Sequence, residues 1–353
     1  MTAPRQIRIG AQRQSHTDRW MRWRELIIFI SSLAIAWPFA CYAQQPKQPL
    51  KRVGVLASQV PCPLQPDNPI VRRLGELGWI EGQNFVFDCV SVGRIDQVRA
   101  LARELVSRRP DVLMASSYDF VSALKQETTT IPIVMLGTWE PVRLGLITSL
   151  AQPQGNVTGV AWFGLLPKQM ELLKEIVPKL RRVAYIVGVV DVGYAYSPLR
   201  DYEVEEENRQ IAASRLGFTW QFFQVATAAT AYDEIFARLA AEHFDAVYLP
   251  GLPSNYNNRT RIGQLALRHR IPAVSDDSSW AKEGFLLTYG QDVSWTVARG
   301  AEYIDKILRG AKPSDLPVEQ ATKLLLTINL NTAKELGLTV PPSLLARADV
   351  VIE

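Results

Sequence analysis

Histidine and cysteine are nearly missing from this chain: three of each occur in 353 residues. His16, His243 and His269 are too widely spaced to share one helix face, and no Cys/His cluster has the intervals of a zinc site, so no metal is expected. No Walker A segment and no G-x-G-x-x-G follows the first strand-like run. The backbone cradle for phosphates or dinucleotides is therefore absent, and no cofactor is expected. No nucleophile–base set is visible either, which argues against an enzyme; His243 and His269 read as solvated residues at helix ends. A basic surface is missing too. The formal charge is +4, but Arg5, Arg8, Arg13, Arg19, Arg22 and Arg24 against Asp18 and Glu25 account for all of it. The rest of the chain is neutral, and no nucleic-acid partner is expected.

What is present starts with that arginine-rich segment. It runs into an apolar stretch, 26–36, interrupted by Ser31 and Ser32 and short of the roughly 20 residues that span a bilayer. Pro38 and the small-residue exit Cys41-Tyr42-Ala43 follow. A positive start, a short apolar core and small residues at −3 and −1 predict a secretory signal over 1–43, cleaved after Ala43, and hence a periplasmic protein. An uncleaved anchor is the alternative. Pro38 and Phe39 ahead of Ala40-Cys41 do not fit a lipid-attachment site.

Residues 44–50 (QQPKQPL) form a polar leader. From residue 52 short β-branched runs alternate with segments of helical period, which predicts an α/β fold with parallel sheets flanked by helices. Strands are expected at 52–58, 84–91, 112–117, 131–136, 157–162, 182–188, 218–225, 246–251, 271–276 and 285–290. Helices are expected at 68–77, 94–108, 120–127, 141–150, 167–177, 202–216, 230–242, 256–268 and 292–309. The helix at 94–108 is the clearest, with Ile95, Val98, Leu101, Ala102, Leu105 and Val106 on one stripe. The roughly 310 residues after the signal exceed what one core usually holds, so two Rossmann-like lobes with a cleft between them are expected.

In open parallel sheets ligands bind beyond the carboxyl ends of the strands. The residues there are Ser58, Gln59, Ser116, Ser117, Tyr118, Thr138, Trp139 and Glu140 in the first half. In the second they are Asp191, Tyr194, Tyr196, Tyr256, Asp276 and Tyr289. Hydroxyls before a helix start suit a carboxylate, and aromatic walls with a few polar anchors suit a flat organic solute. Ser58, Ser116, Ser117 and Thr138 are read as anchors, Tyr118, Trp139 and Tyr289 as walls, and Asp276 as the partner of a ligand amine. The acidic run Glu203, Glu205, Glu206 and Glu207 reads as a solvated helix start. Cys62 and Cys89 follow the first strand and end the second, neighbours in a sheet of order 2-1-3-4-5. A disulfide between them is expected, with two separate thiols as the alternative.

Several segments, in order, resemble the ABC-transporter substrate-binding proteins of the tryptophan/tyrosine type: 74–84 (LGELGWIEGQN), 128–134 (TTTIPIV), 140–146 (EPVRLGL), 154–160 (QGNVTGV), 301–317 (AEYIDKILRGAKPSDLP) and 332–346 (TAKELGLTVPPSLLA). The resemblance implies a type I periplasmic binding-protein fold with a hinge of crossing strands near 158–162, 286–290 and 312–320. It implies a first lobe of 51–158 plus about 288–315 and a second of 159–287 plus about 316–353. It also implies a small-molecule ligand and, as partners, the permease and ATPase subunits of an importer. The chain departs from the family pattern at Trp139–Val142 and at Gly188–Asp191, both at strand ends. An exported sensor for the same ligand, feeding a signalling partner, and a sheet-end enzyme are the alternatives to a transport receptor.

Overall fold

The computed structural model describes residues 50–58, 64–92, 95–188, 201–225 and 230–353. The signal and residues 44–49 of the leader lie outside these, as do Gln59, Cys62, Asp191, Tyr194 and Tyr196.

The alternating pattern folds into two sheets. The first has the order β11-β5-β4-β3-β1-β2, built from β1 (Lys51–Ser58), β2 (Phe85–Val92), β3 (Val112–Ala115), β4 (Ile133–Trp139), β5 (Val157–Trp162) and the short β11 (Glu319–Gln320). Every pairing in it is parallel. Because these strands are covered on both sides, they read as continuous apolar runs and not as alternations. On one side α1 (Pro69–Glu76) packs with α8 (Val293–Leu308), where Ile70 and Leu74 meet Ala301, Ile304 and Leu308 over Val53, Phe85 and Val134. On the other, α2 (Val98–Ser107) and α3 (Tyr118–Glu127) bury Val98, Ala102, Leu105, Phe120 and Leu124.

The second sheet has the order β13-β12-β10-β9-β8-β6-β7. Its strands are β6 (Arg182–Gly188), β7 (Thr219–Val225), β8 (Ala246–Tyr248), β9 (Ala273–Ser275), β10 (Leu287–Gln291), β12 (Leu324–Asn329) and β13 (Val350–Ile352). Only β10 and β12 pair antiparallel. One face is covered by α4 (Leu166–Ile176), α5 (Asp201–Leu216), α9 (Leu330–Glu335) and α10 (Pro342–Leu345). The other is covered by α6 (Thr230–Ala241) and α7 (Pro253–Arg268), with Tyr232, Phe236, Leu265, Trp280 and Phe285 in the core.

One expected helix does not form. Residues 141–150 make a tight turn, with Leu144 N donating to Glu140 O and Leu146 N to Pro141 O. Gly145 adopts φ 76°, a left-handed conformation that ends a helix and is open chiefly to glycine. The strands expected at 246–251 and 271–276 are also shorter, because Pro250 and Pro272 flank their paired cores and offer no amide to a ladder.

Candidate functional site

The parallel order sets where functional side chains gather. In the first sheet the carboxyl ends of β1, β3 and β4 lie side by side. Ser58 closes β1. Beyond β3, Ser116 is exposed while Ser117 caps α3, its hydroxyl accepting from Phe120 N at 3.3 Å. Tyr118 is half-buried against the core beneath α2 and α3. The next residue, Asp119, was not among the expected site residues. Its Oδ2 is buried and accepts no hydrogen bond from the protein. Burial alone pushes its carboxyl up to about 6, the direction expected when a charge loses its hydration without gaining a counter-ion.

At the end of β4 a register shift between Leu136 and Thr138 releases Gly137 from the ladder. Gly137 has φ 76°, and a Cβ there would stand 2.5 Å from the indole of Trp162. The bulge re-aims the following residues. Thr138 is fully buried with no partner for Oγ1. Trp139 meets Trp162 edge-on at 5.9 Å, and Glu140 accepts from Gly164 N at 3.3 Å through Oε1.

In the second sheet the loops after β8 and β9 are bound to each other. Asp276 Oδ1 accepts from Gly251 N at 2.6 Å, and Asp277 Oδ1 accepts from Ser279 N and Ser279 Oγ. Asn255 at the start of α7 is fully buried, donating to Ile186 O and Pro250 O and accepting from the Tyr232 hydroxyl. Tyr256 is 46% exposed; the Arg259 guanidinium lies 4.3 Å from its ring and Trp280 is its aromatic neighbour. Tyr289, expected as a cleft wall, is half-buried on β10. It lies on the same face of β10 as Leu287, packed on the core under α4, and its carbonyl accepts from Gln169 Nε2 at 2.6 Å. Burial raises its phenol, with Lys168 opposing and Asp349 adding to the shift.

The connections between the sheets are cross-tied. Gln291 Nε2 donates to Phe163 O at 3.0 Å, and Trp162 Nε1 donates to Thr296 Oγ1 at 3.1 Å. Asp292 joins two connections at once: its amide donates to Lys323 O at 2.9 Å, and Oδ2 meets Lys323 Nζ at 2.7 Å. Burial works against its ionised form, yet the Lys323 ammonium and the Trp295 amide hold the carboxyl below its ordinary value. Farther out, Arg143 in the turn after β4 pairs with Glu207 on α5, so the loop side of the first sheet reaches the helix that follows β6.

Ser58, Ser117, Tyr118, Thr138, Trp139 and Glu140 thus share one sheet end, together with Asp119, whereas Tyr256 and Asp276 belong to the other sheet. An acidic residue two positions after a strand-end capping serine was the one signal that pointed to Asp119. Among the described residues no group of three His, Cys, Asp or Glu stands where it would hold a metal, and no helix is long and apolar enough to cross a membrane.

A curated relative, the tyrosine-binding protein of Clostridioides difficile (strain R20291), is 23% identical over 271 residues, 76% of this chain and 75% of that protein. Among solved structures, a conserved domain protein from Vibrio cholerae superposes with TM-score 0.74 at 25% identity, covering 86% of this chain and 100% of that one. An ABC domain in complex with L-Trp from Streptococcus pneumonia gives 0.72 at 24% identity, with 86% and 100% covered. The two mostly parallel, helix-flanked sheets are those of the type I periplasmic binding-protein fold. The family model for ABC transporter substrate binding proteins matches residues 68–352, and the chain belongs to that family.

Proposed function

We propose that this chain is the exported receptor of an ABC importer, which binds a small organic solute between two lobes and presents it to permease and ATPase subunits in the inner membrane. The observation that carries this reading is the arrangement of polar and aromatic groups at the carboxyl ends of β3 and β4, above connections that tie the two sheets through Asp292, Gln291 and Trp162. Short crossing segments of this kind allow two rigid halves to close on a ligand. The role is binding and not catalysis.

The solute class is an aromatic amino acid or a related aromatic carboxylate. Support comes from Tyr118, Trp139, Ser116 and Ser117 at the neighbouring carboxyl ends of β3 and β4, and from relatives described as tyrosine-binding or bound to L-Trp. In this reading Ser58, Gln59, Ser116, Ser117, Thr138 and Glu140 supply polar contacts, while Asp191, Tyr256, Asp276 and Tyr289 belong to the opposite lobe. The lobes are 51–158 plus about 288–315 and 159–287 plus about 316–353. Residues 1–43 direct export to the periplasm, with cleavage after Ala43. Cys62 bridges Cys89, supported by the parallel β1–β2 pairing that sets Cys89 opposite Val55.

The test is a thermal-shift and calorimetric panel on residues 44–353 with tyrosine, tryptophan, phenylalanine, leucine and aromatic acids. A true ligand at about 100 times its Kd adds about 2.7 kcal/mol of apparent stability. Silence across the aromatic compounds, with a response to a sugar or polyol, would overturn the solute assignment.

A further inference from the structure

We propose that Asp119 is the anchor for a cationic amine on the bound solute. This inference rests on the solute-binding reading above. Asp119 occupies the first turn of α3, immediately beyond the carboxyl end of β3. Among the described residues it is the one carboxylate with a buried oxygen that accepts no hydrogen bond from the protein. The other acids near the strand ends are occupied: Glu140 by Gly164 N, Asp276 by Gly251 N, Asp277 by Ser279 and Asp292 by Lys323. No basic side chain offsets the burial of Asp119. On the neighbouring strand end Thr138 Oγ1 is likewise buried without a partner.

A buried carboxylate has lost hydration that only a donor can replace, and a cationic donor replaces it best. A ligand ammonium brings three N–H groups and a full positive charge, and a charge-assisted hydrogen bond to Asp119 is stronger than a neutral one. A ligand carboxylate would be repelled at the same point, so an amino acid bound here would direct its acid group away, toward the exposed Ser116 hydroxyl. This assigns the amine to the first sheet and leaves Asp276 to hold the β8 and β9 loops together.

The experiment uses isothermal titration of the mature protein and of Asp119→Asn, Asp119→Ala and Asp276→Asn. The probes are L-tyrosine, L-tryptophan and tyramine, together with the amine-free acids 3-(4-hydroxyphenyl)propanoate and indole-3-propanoate. Unchanged circular dichroism and a melting temperature no lower than that of the native protein establish that the Asp119 variants fold. The expected result is a loss of roughly thirtyfold or more in affinity for the amine-bearing probes on removing the Asp119 charge, with little change for the amine-free acids. Asp276→Asn should show no such selectivity for the amine. The inference is overturned if both Asp119 variants bind amines and acids as the native protein does, or if Asp276→Asn alone erases amine preference. Native protein that binds only the amine-free acids overturns the amine anchor and leaves the receptor reading standing. Native protein that binds none of the probes overturns both.

Discussion

At the scale of single residues, the site trades stability for an unmet charge. Asp119 has a folded-state value of about 6 against about 3.9 in an unfolded chain. Between these values the folded protein holds more protons than the unfolded one, so stability of the ligand-free protein falls as pH rises through this window and is level above it. Asp119→Asn removes the effect. We expect the variant to be more stable than the native protein by about 1–3 kcal/mol at pH 7.5 and nearly equal to it at pH 4, measured by urea unfolding without ligand. Thr138→Val, which removes a buried hydroxyl without a partner, should be neutral or stabilising by up to about 1 kcal/mol in the same assay. A loss above about 2 kcal/mol would show that Oγ1 is satisfied in solution. The place of Ser117 just before a helix start was legible in the sequence, where it was read as a ligand anchor; that its hydroxyl accepts from Phe120 N and caps α3 is seen only in the structure. The state of Asp119 was not legible: it depends on which side chains fold over it, and local pattern carries no record of that. For Asp276 the sequence offered a ligand amine as partner; its hydrogen bond from Gly251 N, made by the close approach of two loops, was not legible there.

At the scale of elements, α8 is the piece on which the first sheet depends. Its N-cap is Asp292, whose Oδ1 accepts from Trp295 N at 3.0 Å, and Gly300 lets the helix approach β4 until a Cβ would stand 2.0 Å from Leu136 Cδ2. Gly300→Leu should destabilise by about 2 kcal/mol or more through overpacking, with a lower urea midpoint and an unchanged slope. Asp292→Ala should lose about 1–2 kcal/mol, the ordinary range for a helix cap. Because the Asp292 carboxyl is held below its usual value, the native contribution is present at neutral pH and fades as pH falls through that lowered value. The gap between variant and native protein should therefore narrow in acid. Most elements were legible because the apolar stripes of 94–108 and the β-branched runs leave few alternatives. The turn at 141–150 was not: a helix was expected there, while the positive φ of Gly145 decides the structure.

At the scale of the whole molecule, the two sheets and their 2-1-3-4-5 core order were legible from the βα rhythm together with family resemblance, because right-handed crossovers permit few parallel topologies. The way the chain passes between sheets was not readable from composition; it rests on hydrogen bonds between residues more than a hundred positions apart, such as Gln291 to Phe163. The Arg143–Glu207 pair joins the loop side of the first sheet to α5, yet both partners are about half exposed. Such pairs contribute about 0–1 kcal/mol. Arg143→Glu should accordingly change solute affinity by less than about tenfold, and Glu207→Arg in the same chain should restore it, both measured by titration calorimetry.

The placement of α8 also has a consequence in time. The helix that completes one face of the first sheet follows five of the seven strands of the second sheet in the chain. During synthesis Val53, Phe85 and Val134 therefore have only the short α1 over them until residues beyond 300 have emerged, however early their own strands are made. The first half is committed to waiting, with a sticky surface exposed to any binder of unfolded chains. A protein whose opening half is completed by its closing stretch is suited to being moved as an extended chain first and folded afterwards.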